Sequence, residues 1–147
     1  MKTSARAFLI AMLVSAPAIA QPPIEIIGHI QYMNGVASIQ RGGATLVATA
    51  GAALYRGDLI RTGKPGAVGI VLTDDTTVSL GSSSELSLIN YAFDPKEGKF
   101  ALVMRMIKGT FSYITGQIVK LAPDTAQVHT PDATIAVRGT KLLIQVE

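Results

Sequence analysis

From Leu54 to Leu88 the chain breaks into short apolar runs separated by turns of Gly, Asp and Ser. Val68, Ile70 and Leu72, then Val78 and Leu80, then Leu86 and Leu88, fall on every second position of their runs. That is the period of a strand with one buried face. Burial of each such side chain contributes about 1.5–3 kcal/mol, whereas ordering the backbone costs about 1–2 kcal/mol for every residue. Most residues of the segment are turns or outward positions, so it cannot fold alone. Strands before and after it must cover its apolar face. The segment carries no His, no Cys and no nucleophile beside a base. It specifies a framework rather than a reaction.

The rest of the chain reads the same way. The 14 glycines recur at intervals of roughly eight to twelve residues, which punctuates strands rather than helices, and Val, Ile and Thr suit pleated surfaces. Strands are expected at Ile24–Met33, Val36–Arg41, Thr45–Ala48, Asp58–Arg61, Ala67–Thr73, Thr76–Leu80 and Glu85–Ile89. They continue at Phe100–Ile107, Gly109–Ile114, Gln117–Lys120, Thr125–His129, Thr134–Val137 and Lys141–Val146. Asn34-Gly35 has the form of a tight hairpin turn, and Gly42-Gly43 turns again. Tyr91–Lys99 is the longest polar connection. Phe100–Lys108 tolerates a helix, with strand preferred. The expected class is all-β: one domain of many short strands, solenoid-like or sandwich-like. Asp75–Leu80 resembles Asp132–Val137, and either a stacked repeat or shared turn chemistry explains the likeness.

The N-terminus stands apart. Lys2 and Arg6 precede an apolar run from Ala7 to Val14, and Ala18-Ile19-Ala20 supplies an A-x-A site. This is the layout of a secretory signal peptide over residues 1–20, cut near Ala20-Gln21. The apolar run is too short to span a bilayer, and no later segment reaches that length. With no Cys in the chain, lipid attachment at a cysteine, disulfides and thiolate chemistry are excluded. Removal of residues 1–20 takes the net charge from +3 to +1, because 11 Lys and Arg then face 10 Asp and Glu. Scattered charge and few aromatics give no nucleic-acid footprint. The expected organisation is a signal at 1–20, a leader and first strand at 21–34, and one β domain at 35–147.

The sequence offers little reactive chemistry. Arg56-Gly57-Asp58 spells an adhesion tripeptide but sits where a strand begins. His29 and His129 are the only histidines, too few for a zinc site. Asp74-Asp75 lacks the ligand spacing of a calcium loop, and Ser82–Ser84 lacks a base to activate a hydroxyl. No catalytic residues, metal or cofactor are expected.

The ordered set Gly57–Gly63, Asp74–Leu80, Ser84–Leu88, Lys108–Phe111 and Thr130–Thr140 resembles the FecR-domain family, from about Gly35 to Val146. The resemblance implies an all-β domain outside the cytoplasmic membrane that works by protein–protein contact. In regulators of that family the domain relays a transporter signal to a sigma factor. This chain shows neither a cytoplasmic anti-sigma segment nor a spanning helix after the signal, so it reads as a stand-alone exported domain, periplasmic or secreted. Its partner would be an envelope protein, with signalling or regulation as the role. A structural or glycan-binding envelope module is the alternative, and an exposed Tyr91–Phe93 pair would favour it. The motif residues Gly57, Asp58, Arg61, Thr62, Gly63, Asp74, Asp75, Gly109, Thr130, Pro131, Asp132, Arg138, Gly139 and Thr140 are expected to shape turns and strand starts. Asp58, Asp74 and Asp132 would accept backbone N–H groups, and Arg61 and Arg138 would pair with these aspartates or face a partner. Exposed strand edges and the Tyr91–Phe100 region are the expected contact surfaces.

Overall fold

The computed structural model describes residues 13–18, 24–139 and 141–147. The expected signal and its cleavage point lie mostly outside these residues. Among the described residues no helix is long and apolar enough to cross a membrane.

The chain is all-β. Among the described residues ten strands run in order: β1 (Ile26–Arg41), β2 (Ala44–Val47), β3 (Ala53–Tyr55), β4 (Leu59–Leu72), β5 (Thr77–Leu80), β6 (Glu85–Asp94), β7 (Lys99–Ile114), β8 (Ala126–His129), β9 (Thr134–Ala136) and β10 (Lys141–Val146). One short helix, α1 (Gln117–Leu121), and a 3-10 turn at Pro123–Thr125 lie between β7 and β8.

Three long strands, β1, β4 and β7, organise the sheet, because each changes neighbours along its length. The first part of β1 pairs with β3 and with the last part of β4, while Ser38–Arg41 pairs with β2. The start of β4 pairs with β6, and its end pairs with β5. The first part of β7 pairs with β6 and, in parallel, with β8; its last part pairs with β5 and β10. Two half-sheets therefore share three continuous strands.

Both halves turn apolar rows inward. Ile39, Ile60, Leu86 and Met106 stand opposite one another in one half. Ile30, Ile70, Val78 and Tyr113 do so in the other. All eight belong to one buried cluster, which is the alternation that an inward-facing strand demands.

Several boundaries differ from those read from sequence. Asn34-Gly35 is not a hairpin turn. It is an irregularity inside β1, where Gly35 has φ +72° and its Cα faces Gly66 of β4. A Cβ on Gly35 would collide with the Pro65 backbone. The expected domain start at residue 35 thus falls within a strand. Asp58–Arg61 and Ala67–Thr73 join into β4, and Phe100–Ile107 and Gly109–Ile114 join into β7. Tyr91–Lys99 is not a long connection either: β6 and β7 form a hairpin closed by Pro95–Gly98, with Phe93 and Phe100 facing each other at a centroid distance of 6.2 Å. Gln117–Lys120 is helical rather than extended. β5 and β9, the two similar segments, do not pair with each other; β5 lies between β4 and β7, and β9 pairs with β8.

Candidate functional site

The motif residues gather at three buried polar clusters. The first holds Asp58, whose side chain is 0% exposed. Arg41, brought alongside by the β1–β4 pairing of Gln40 with Leu59, donates from Nε to Oδ1 and from Nη2 to Oδ2, both at 2.8 Å. Tyr55 N–H donates to Oδ2 at 2.9 Å. Arg41 also reaches the Ala53 carbonyl and lies 4.4 Å from the Tyr55 ring centroid. The hydrogen bond to Asp58 raises the Arg41 pKa above its ordinary value. Such a two-pronged ion pair fixes geometry as well as charge. Asp58 is thus committed inward, so Arg56-Gly57-Asp58 is not displayed as an adhesion loop. Sequence reading missed Arg41, which lies 17 residues away and is placed only by strand register.

The second cluster surrounds Asp74, in the turn between β4 and β5. Its side chain accepts from Tyr91 Oη at 2.9 Å, Thr76 N–H at 3.2 Å, Thr76 Oγ1 at 2.7 Å and Ile118 N–H at 3.1 Å. Its own N–H donates to Tyr91 Oη, and its carbonyl accepts from Gln117 N–H. Since the Tyr91 proton goes to Asp74, the Thr73 hydroxyl donates to Tyr91 at 2.9 Å. A buried carboxylate is tolerated only when so many donors replace its water. This knot ties the β4–β5 turn to β6 and to the start of α1. It also explains why Gln117–Leu121 coils: the free N–H groups of its first turn end on Asp74. Burial pushes the Tyr91 hydroxyl well above the usual tyrosine range. Nearby Tyr113 is fully buried; Thr76 stands beside its hydroxyl but makes no hydrogen bond of ordinary length with it, and burial pushes the hydroxyl up to about 12. Asp75 accepts from the Gln117 side chain at 3.2 Å on the surface.

The third cluster is the seam between the half-sheets, where β5 has ended and β6 has not begun. Thr62 Oγ1 donates to the Gly81 carbonyl at 2.6 Å and accepts from Ser84 N–H at 2.9 Å. Ser82 Oγ exchanges hydrogen bonds with the Gly66 backbone. Ser84 Oγ accepts from Thr110 N–H at 3.2 Å. Gly109 sits against Ser84 with φ +106°, and a Cβ there would strike the Ser84 side chain and backbone. Gly63 faces Val36 across the same seam.

The remaining motif residues are superficial. Thr130 closes the β8–β9 turn: its Oγ1 accepts from Ala133 N–H, and its N–H donates to the Ala133 carbonyl. The hydroxyl of Thr130 does what was expected of Asp132, which is exposed beside exposed Pro131. Arg61 pairs with Glu85 at 3.2 Å rather than with an aspartate, and Lys108 approaches the same carboxylate at 3.7 Å. Arg138 and Gly139 (φ +92°) are exposed; Thr140 lies outside the described residues. Gly57, also at positive φ, opens the turn before β4.

Among the described residues, the buried motif carboxylates hydrogen-bond to Arg41, Tyr91, Thr76 and backbone N–H groups. His129 Nδ1 contacts Thr134 Oγ1 at 3.0 Å, near the surface. No group of three or more metal-binding side chains converges among the described residues. Tyr91 is 3% exposed and Phe93 is half-buried, so they do not form an exposed sugar platform. Among the described residues, two open hollows flank these clusters. One runs over the outer face of the second half-sheet, between Tyr32 and Leu143, with Ser79, Gly81, Thr110 and Ser112 beneath. The other is lined by Arg105, Ile107, His129, Thr130 and Pro131.

Residues 58–147 match the profile of the family described as "FecR protein". No curated protein matches. Among solved structures, a "Cell surface anchoring domain" aligns with 31% sequence identity, covering 42% of this chain and 82% of that one, at a TM-score of 0.40. The family match spans more than half of the chain and begins at Asp58, the carboxylate clasped by Arg41, and this chain therefore belongs to the FecR family.

Proposed function

We propose that this is a non-catalytic, exported FecR-like domain that binds another protein in the bacterial envelope, in the service of signalling or regulation. The observation that carries this reading is the fate of the motif's polar groups. Asp58, Asp74, Thr62 and Ser84 are all buried, and their side chains are spent on partners within the fold. A carboxylate so enclosed has no route to a substrate, whereas strand edges keep free backbone groups that recruit other chains. The signal-like N-terminus supports a periplasmic or secreted location, and family membership supports an envelope role.

Fractionation and in-cell crosslinking of the tagged full chain test the proposal together. The expected result is a shortened protein in the periplasmic or extracellular fraction, crosslinked to one defined envelope protein. Retention in the cytoplasm at full length, or export with no crosslinked protein, contradicts it.

A further inference from the structure

We infer that β10 is a self-recognition edge, at which two copies of this chain join their sheets antiparallel about Ile144. The inference goes beyond the envelope partner proposed above and does not depend on it.

β10 pairs only with β7 among the described residues. Its register is unbroken, from Lys141 opposite Ile114 to Val146 opposite Gly109. Edges are ordinarily blunted by proline, by bulges, by inward charges or by brevity. β10 has no proline and no bulge, and Lys141 is its only charge. With six residues it is longer than β2 or β9, which end the main run of the sheet with four and three.

The sequence of this edge is complementary to itself. Antiparallel pairing centred on Ile144 sets Lys141 opposite Glu147 of the second copy, Leu142 opposite Val146 and Leu143 opposite Gln145. The charge match occurs twice, once at each end of the contact. Neither Lys141 nor Glu147 has an ion pair within the chain among the described residues. Sliding the register by two residues sets Lys141 opposite Gln145 and loses the match. A slip to an odd register would oppose inward to outward side chains.

Burial points the same way. Leu142, Ile144 and Val146 pack on the core yet remain only partly covered, because nothing described flanks them beyond β10. The second copy would supply the same three residues to cover them. Leu143, 75% exposed on the other face, would gain the stem of Gln145 as a neighbour. The contact is one strand wide, so affinity belongs to the weak class of small interfaces, in the range of about micromolar to millimolar.

Sedimentation equilibrium of the protein purified after full-chain expression tests this with a charge swap. The native protein is expected to dimerise reversibly. Lys141→Glu alone, which sets a carboxylate against Glu147 at each end of the joint, is expected to raise the dimer dissociation constant about tenfold, as is Glu147→Lys. The double variant Lys141→Glu with Glu147→Lys is expected to restore native affinity, which a merely misfolded edge would not do. A native protein that stays monomeric up to about 1 mM, the weak limit of specific association, overturns the inference. So does a dimer insensitive to the swap, or capture of a different protein's strand by this edge in place of a second copy.

Discussion

Individual residues show that the buried carboxylates Asp58 and Asp74 serve the fold. Asp74 collects four hydrogen bonds on its carboxylate, and Asp58 collects three. Tyr113 breaks that pattern, since its buried hydroxyl has no partner among the described residues. An unsatisfied buried hydroxyl costs free energy that a phenyl ring would not. Tyr113→Phe is therefore expected to raise stability by about 1 kcal/mol in urea unfolding; a loss of stability would show that the hydroxyl is held. The same residue sets an alkaline limit. Its folded pKa is raised to about 12, above the unfolded value of about 10. The stabilisation linked to that shift is complete below about pH 10 and is lost as pH rises towards about 12, because the unfolded chain then binds fewer protons than the native one. Tyr91, shifted upward by burial in the same direction, extends the decline. Stability is expected to be insensitive to these two groups near neutrality and to fall from about pH 10 upward. Tyr113→Phe should make that fall shallower, as followed by urea midpoints against pH.

Elements show what local patterning reveals and where it stops. The alternation of Val68, Ile70 and Leu72 and of Val78 and Leu80 is legible because each side chain answers to the face of its own strand. β10 is legible for the same reason, and its observed bounds are those read from the sequence. The continuity of β1, β4 and β7 was not legible. Gly35 looks like a hairpin turn in isolation, yet the close approach of Gly66 across the sheet makes it a kink within a strand. The Asp74 cap on α1 was hidden too, since Ile118 lies 44 residues away. Likewise Tyr91 reads in sequence as the start of a polar connection, and only the β6 register turns it towards Asp74. Gly109 tests the seam. It needs positive φ and leaves no space for a methyl group, so Gly109→Ala should cost about 3 kcal/mol from strain and overlap together. Unchanged urea unfolding would mean that β7 runs straight past Ser84.

At the scale of the whole molecule, two half-sheets close one core through shared strands and three polar clusters. Membership of the FecR family fits a framework of this kind, in which buried motif residues hold a surface in place and the surface makes the contacts. The buried motif carboxylates, Asp58 and Asp74, hold the fold together rather than a substrate. Asp74 is the sharpest case, because it links the β4–β5 turn, β6 and α1 at one point. The most direct measurement is equilibrium urea unfolding of Asp74→Ala beside the native protein. Loss of the carboxylate strands donors from Tyr91, Thr76 and Ile118, so the expected result is one cooperative transition, destabilised by about 3–5 kcal/mol. An Asp74→Ala protein as stable as the native one would contradict the account, and would make Asp74 a functional group that the fold does not need.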